Sequence, residues 1–266
     1  MDKNKLIQIA QDTLDILDKG FYRIGNREFD IKESIEHSVK NSILYRPDDV
    51  IEMDKNLFKK YNTVIEVTNE STLMAGKRLS DTKLKVCSLN FASAKNPGGG
   101  FLKGSPAQEE SLARSSALYP CINQMSEMYD YNRNDTTNYY SDYMIFSPNV
   151  PIIKEDNGFL TSCYKNSFIT SPAVNLNFGS LDNKIVQEVM IKRIDKILSI
   201  AALNNQEALV LGAFGCGVFK NNPEDVAMYF KSLLEGKFKG VFQHITFAIY
   251  DKNNEIVNIF KKHLTE

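Results

Sequence analysis

From about residue 63 onward, short apolar runs alternate with amphipathic stretches, and this alternation constrains the fold more than any other feature of the chain. "TVIEV" (63–67), "LKVCSLNFA" (84–92), "ALVLG" (208–212) and "HITFAIY" (244–250) read as buried strands. Helical patterns lie between and after them: Leu73–Leu79, Gln108–Leu118, 181–204, 223–235 and 252–264. The stretch 181–204 reads as one long amphipathic helix through Ile185, Val189, Ile194, Ile197 and Leu198. Strand–helix alternation predicts a largely parallel or mixed sheet covered by helices. Two more short strands are expected at 143–147 ("YMIFS") and 167–170 ("SFIT"), and the polar, tyrosine-rich stretch 123–142 is expected to run over the surface. Ahead of the sheet, residues 4–18 carry Leu6, Ile9, Ala10, Thr13, Leu14 and Leu17 at helical spacing, and Gly20 stops the pattern. A weaker helix is expected over 31–40. The expected division is an N-terminal helical extension (1–60) packed on an α/β core (61–266).

The totals exclude several classes. Among 266 residues, 42% are hydrophobic and 24% charged, the balance of an ordinary globular chain. The net charge of −1 offers no basic excess for non-specific nucleic-acid binding, although a local patch is compatible with it. Cys87, Cys121, Cys163 and Cys216 fit no zinc-site spacing and read as reduced thiols, Cys87 as a small core residue. "MDKNKLIQIAQDTLDILDKG" lacks the continuous apolar core of a secretory signal. No apolar run reaches the ~18–20 residues that a membrane span needs. A soluble, cytoplasmic, monomeric protein is expected.

Two glycine-rich loops stand where ligands bind in such sheets, beyond the carboxyl ends of strands. "NPGGGF" (96–101) follows one strand and "GAFGCGVF" (212–219) follows another. Backbone amides without a Cβ in the way approach phosphate oxygens closely. Neither loop matches G-x-G-x-x-G or a P-loop. A tight turn would account for either loop alone, whereas two loops after two strands point to a diphosphate clamp. Glu109 and Glu110 fall in the first turn of an expected helix, where acids stabilise the dipole by about 0.3–1 kcal/mol. That alone accounts for them. Their place on the helix opened by a glycine loop adds a second reading, because a carboxyl beside a bound phosphate can protonate a glycosidic oxygen. A neighbouring carboxylate or partial burial supplies the raised pKa such an acid needs, so one member stays ionised and orients a ribose hydroxyl while the other carries the proton. Cys216, between two glycines, reads as a small residue or as a nucleophile with His244 as its base, and geometry decides between them. His37 and His263 read as surface residues.

"GGGFLKGSPAQEE" resembles the signature of the poly(ADP-ribose) glycohydrolases: three glycines, a bounded spacer, here seven residues (Phe101–Ala107), then Gln-Glu-Glu. "IAQDTLDILDKGFY", "VTNESTLMAGKRL" (67–79), "LNFASAKNPGGGF" (89–101), "YMIFSPNVPIIKEDNG" (143–158), "ITSPAVN" (169–175) and "VLGAFGCGVFKNNP" (210–223) resemble the microbial branch of that family, so the likeness covers nearly the whole chain. The resemblance implies a macrodomain-like α/β fold, a mixed sheet sandwiched between helices, that binds ADP-ribose without metal or cofactor. Carried over, it makes Glu110 the catalytic acid and sets Glu109 on ribose hydroxyls. Gly98, Gly99 and Gly100 would approach the ribose and diphosphate, Asn96 the distal ribose, and Gln108 would join the substrate-binding set. Gly215, Cys216, Gly217 and Val218 would cradle the diphosphate, and Phe219 would lie against the ligand near the distal ribose. Thr68, Asn69 and Glu70 are the candidates on the adenine side. The implied reaction is hydrolysis of a ribose–ribose bond of poly(ADP-ribose) on modified protein. It would run from the chain end, because the accessory helices would restrict access for internal segments. Alternatives are a mono-ADP-ribosyl hydrolase acting on modified protein or DNA, a non-catalytic ADP-ribose reader, which has no need of Gln108-Glu109-Glu110, and an unrelated nucleotide enzyme. The tyrosine-rich stretch 129–143 would shape access.

Overall fold

A computed structural model describes residues 1–52, 60–177 and 181–266. The chain opens with α1 (Lys3–Lys19), which buries Leu6, Ala10, Thr13 and Ile16 and ends where Gly20 takes a left-handed φ of 78°. A small antiparallel hairpin follows, β1 (Phe21–Ile24) and β2 (Arg27–Asp30). Then come α2 (Lys32–Lys40) and the short β3 (Ile43–Tyr45). The α/β part runs β4 (Val64–Thr68), α3 (Thr72–Ser80), β5 (Val86–Phe91), α4 (Gln108–Ser115), α5 (Leu118–Asn123) and α6 (Ser126–Asn134). It continues with β6 (Met144–Lys154), β7 (Leu160–Ser171), α7 (Asn183–Leu203), β8 (Ala208–Leu211), α8 (Pro223–Glu235), β9 (His244–Ala248) and α9 (Glu255–Leu264).

Seven strands form one mixed sheet in the order β3-β6-β7-β5-β8-β9-β4. From β7 to β4 every pairing is parallel, and β3, β6 and β7 pair antiparallel at the other side. Central strands are covered on both faces, so β8 is buried at every position and β5 at all but its last. One face packs against α7, α8 and α9 through residues such as Ile194, Ile197, Phe230 and Phe260. The other carries α3 and α4–α6 through Leu73, Leu112, Ile122 and Tyr129. The parallel order places the ends of β4, β9, β8, β5 and β7 on one rim, where the glycine loops lie.

The first residues share this core, although 53–59 of the expected extension lie outside the described residues. β3 is an edge strand of the main sheet, paired with β6 from Ile43↔Phe146 to Tyr45↔Met144. Lys154 of β6, 1% exposed, places its ammonium 3.0 Å from the Ile9 carbonyl and 2.8 Å from Thr13 Oγ1, with Asp12 at 2.7 Å. Thr13 in turn donates to the Arg114 carbonyl of α4. A buried ammonium persists only with such partners, so the helix is fixed in place.

Three expectations are corrected. The helix expected over Gln108–Leu118 breaks at Ser116, which is extended (φ −148°) and bridges to Ile152 before α5 begins. The expected short strands are the inner ends of an eleven- and a twelve-residue strand, β6 and β7, whose outer parts hold Lys154 against α1. Their alternation is blurred by two register shifts and by polar residues that helices cover. The stretch 123–142 is no surface excursion: α6 buries Met128, Tyr129 and Asn132.

What draws the end of that stretch inward is Arg193. Wholly buried on α7, it donates to Asp142 Oδ1 at 3.0 Å and to the carbonyls of Tyr139, Tyr140 and Pro172 at 3.0–3.1 Å. Removing one partner of such a buried pair leaves a charge without its counterpart. Asp142→Ala is therefore expected to lower stability by about 3–5 kcal/mol, read from urea unfolding, with the larger part of the loss reversed in the Arg193→Met/Asp142→Ala double variant.

Candidate active site

Two adjoining cavities form a cleft along the carboxyl rim. One of about 650 Å3 lies toward β9 and β4 and is lined by Glu70, Ser71, Ile249 and Tyr250, with Met1 and Leu6 of the N-terminal segment. The other, about 760 Å3, lies toward β5 and β7 and takes in both glycine loops and both acids. Phe91, Ala107, Gln108, Ala213 and Gly217 line both, so the two are continuous.

The first glycine loop folds back on the acids of α4. Gly98 and Gly99 are left-handed (φ 72° and 58°). The Gly98 amide donates to Glu109 Oε1 at 3.2 Å, and the Gly100 amide to Glu110 Oε1 at 2.9 Å. Glu109 also accepts from the Ser93 amide at 2.6 Å and from Asn90 Nδ2 at 3.4 Å. The Gly99 amide closes a turn onto the Asn96 carbonyl at 2.9 Å. The loop was expected to offer its amides to a ligand; instead all three glycine amides have partners within the protein. Gly99 is required for closeness: a Cβ there would lie 2.4 Å from Glu110 Oε1 and 3.2 Å from Glu109 Oε2. Gln108 is likewise engaged. Its oxygen accepts from the Phe91 amide at 2.9 Å, and its nitrogen donates to Leu89 O at 2.8 Å and Thr72 Oγ1 at 3.0 Å, which ties α4 to the end of β5. It lines the cleft as a positioning residue.

The acids differ in setting. Glu109 is 2% exposed, and burial pushes its carboxyl up to about 8, against the pull of its three donors and reinforced by Glu110. Glu110 is 9% exposed and lines the larger cavity, and its Oε2 has no hydrogen-bond partner among the described residues. Arg114, one turn on, holds the loop by donating to the Ser105 carbonyl at 2.6 Å.

The second loop is built the opposite way. Internal bonds use the amides of Phe214, Cys216, Lys220 and Asn221. Those of Gly215, Gly217, Val218 and Phe219 have no partner among the described residues, and all four residues line the larger cavity. Backbone amides left without internal partners on a cavity wall are the kind of donor that anion sites use. Gly215 is left-handed (φ 76°), and a Cβ on it would meet Ala173 Cβ at 2.5 Å. Pro223 at the first position of α8 and the Asn222 cap fix where the loop ends. Phe219 packs at 6.0 Å from Tyr140, which Arg193 anchors through the backbone.

The nucleophile reading fails on topology. His244 opens β9 opposite Ala208, whereas Cys216 lies beyond the far end of the parallel β8. His244 meets Glu66 at 3.0 Å, and burial pushes the Cys216 thiol up to about 12. Cys216 lines the smaller cavity. Of the adenine-side candidates only Glu70 lines that cavity, its carboxylate taking Arg78 at 2.6 Å and the Thr68 hydroxyl at 2.8 Å. Asn69 bonds the Asp251 carbonyl and Asn254, both at 2.6 Å. Asn96 lines the larger cavity. His37 is exposed, and His263 is half-buried against Glu224. Sequence reasoning missed Phe91, Ala213 and Tyr119. Phe91 and Ala213 were legible as the residues leading into each glycine loop, while Tyr119 reaches the site only through the break at Ser116.

A mixed sheet between helices, with free amides on one carboxyl-end loop and two acids clasped by the other, defines a macrodomain-like fold with a paired-carboxylate site. The chain belongs to the microbial-type PARG catalytic-domain family, whose profile matches residues 10–155. A search of curated protein sequences found no match. Among solved structures, a glutamate-to-alanine mutant of the poly(ADP-ribose) glycohydrolase of Thermomonospora curvata is 38% identical, with a TM-score of 0.91 over 98% of this chain and 100% of that one. The same enzyme bound to the inhibitor ADP-HPD gives 38% and 0.90, over 97% of this chain and 99% of that one. The poly(ADP-ribose) glycohydrolase of Deinococcus radiodurans in complex with ADP-ribose gives 36% and 0.82, over 92% of this chain and 99% of that one.

Glu109 binds its proton more tightly in the folded chain than in the unfolded one. Folding stability attributable to it therefore falls as the pH rises from about 4.5 toward about 8. Urea unfolding at pH 5 and pH 8 is expected to show that decline in the wild type and a smaller one in Glu109→Gln.

Proposed function

We propose that the chain hydrolyses the ribose–ribose O-glycosidic bond of poly(ADP-ribose) and releases ADP-ribose. The observation that carries this reading is the unpartnered Glu110 Oε2 in the same cavity as four unpaired amides of the second loop. The amides take the diphosphate, and the distal ribose then lies between Phe219 and the acids. The inhibitor and ADP-ribose complexes of the two bacterial enzymes support a ligand of this class. The adenine enters the smaller cavity, near Glu70 and Tyr250.

Glu110 donates a proton from Oε2 to the leaving ribose oxygen. Positive charge develops at C1 of the distal ribose, where the diphosphate stabilises it. Glu109, held by three donors, orients a ribose hydroxyl. Glu110 then accepts a proton from the attacking water.

Chain-end cleavage is the favoured mode, because Met1 and Leu6 line the smaller cavity and α1 is fixed by Lys154. The same cleft supports removal of a single ADP-ribose from protein or DNA as the second reading. A non-catalytic reader is disfavoured by the free carboxyl oxygen beside the anion site.

Glu110→Gln is expected to slow hydrolysis of poly(ADP-ribose) by about 10²–10⁴-fold and to leave ADP-ribose affinity, measured by calorimetry, within a few-fold; a near-native rate would sink the assignment. Gly99→Ala is expected to lower turnover on the order of 10²-fold, since its Cβ must displace Glu110 and a shift of about 1 Å costs that much. Retention of full activity in that variant would mean that the placement of Glu110 by the loop is immaterial.

A further inference from the structure

The cations of the cleft stand at the wrong end for the diphosphate. Among the described residues, those that line either cavity are Lys103, Arg114 and Arg133. Arg114 is buried and engaged with the Ser105 carbonyl. Lys103 and Arg133 line only the larger cavity, on the 3₁₀ turn after the first glycine loop and on α6. The sheet order locates them. The smaller cavity follows β9 and β4, the second loop follows β8, and the acids follow β5. α5 and α6, which carry Tyr119, Asn123 and Arg133, pack over β6 and β7 through Ile122 and Tyr129, and Tyr119 meets Phe101 of the 3₁₀ turn that carries Lys103. In the sheet order the free amides of the second loop follow β8, on one side of β5 and the acids, and β7 and β6 with their covering helices lie on the other.

Both cations are free to meet an anion. Lys103 has no hydrogen-bond or ion-pair partner among the described residues. Arg133 is exposed and held at 2.5 Å by Asp130 through Nη1 alone, which leaves its other nitrogens available and its direction set. Tyr119, braced against Phe101 at 4.8 Å, lines the same cavity. Among the described residues, no carboxylate other than Glu109 and Glu110 lines this cavity.

We propose that Lys103 and Arg133 form a leaving-group subsite that takes the diphosphate of the departing ADP-ribose unit. The assignment rests on the reaction proposed above, because it is Glu110 that fixes which side the leaving oxygen occupies. A ligand that ended at the cleaved bond would have no negative charge on this side. A chain places its next diphosphate there, one ribose beyond the bond that breaks. The subsite thus selects a phosphorylated leaving group over a neutral one, and it acts on substrate capture and not on the protonation step. Exposed charge contacts are modest individually and weaken with salt.

The test is the Lys103→Glu/Arg133→Glu double variant, both positions being exposed. Steady-state hydrolysis is compared on poly(ADP-ribose), on ADP-ribose joined through its distal ribose to 4-nitrophenol, and on an ADP-ribosylated oligonucleotide. Calorimetry with ADP-ribose monitors the rest of the site. Expected is a rise in KM for poly(ADP-ribose) on the order of tenfold, two exposed charge contacts exchanged for repulsions. The nitrophenyl conjugate and ADP-ribose affinity stay within about twofold, and the wild-type preference for polymer shrinks as salt is raised. An equal loss on the polymer and the nitrophenyl conjugate would overturn the proposal and make these residues structural. A loss confined to the oligonucleotide would overturn it in favour of a nucleic-acid contact. A wild type inactive on every substrate would remove the hydrolase reading itself, and the subsite with it.

Discussion

The site depends on one arrangement, a loop of three glycines whose amides close on two adjacent carboxyl groups. Two acids side by side at a helix start, both nearly out of water, would repel each other and lack solvation. The Ser93, Gly98 and Gly100 amides supply the donors that water would have given. Only a backbone without side chains could come so close, since a Cβ at Gly99 would collide with a carboxyl oxygen. Gln108 and Arg114 then fix the helix and the loop that carry this arrangement. The acid is in position before any ligand arrives, which is what a proton donor needs if reorganisation is not to add to its barrier.

Much of this was legible in the sequence, and the misses have physical causes. Buried parallel strands read as continuous apolar runs, so "LKVCSLNFA" and "ALVLG" were recognisable and placed the glycine loops at the carboxyl rim. The motif spacing pointed to Glu109 and Glu110. Sequence alone could not divide labour between the loops, because a glycine that approaches a ligand and one that approaches a protein carboxylate are the same letter. Nor could it say which acid lies deeper, since the fold creates that burial. The long hairpin of β6 and β7 was hidden because its outer half is covered by α1 and its residues do not alternate cleanly. The stretch 123–142 looked solvent-bound from its polarity. Its burial is imposed from far along the chain, by Arg193.

Arg193 and Lys154 play similar parts on two sides of the sheet. Each is a long cation buried on a regular element and satisfied by carbonyls and a carboxylate of an irregular or peripheral segment. Arg193 places Tyr140 behind Phe219, and Lys154 places α1 beside the smaller cavity. Hydrophobic packing alone tolerates sliding, whereas a buried charge accepts few positions. Such residues give the segments around the cleft a defined register that apolar contacts would leave loose.

For α1 this sets a length. The ammonium of Lys154 meets Ile9 and Thr13, residues one turn apart, and Thr13 reaches on to the Arg114 carbonyl of the helix that bears the acids. A slip of the helix by one turn would take the Thr13 hydroxyl and the Asp12 carboxylate away from that buried charge. The wall at Met1 and Leu6 is therefore held relative to the helix of the two acids by an ion set outside the cleft. Lys154, which lines neither cavity, is the zero mark of a ruler laid along the cleft.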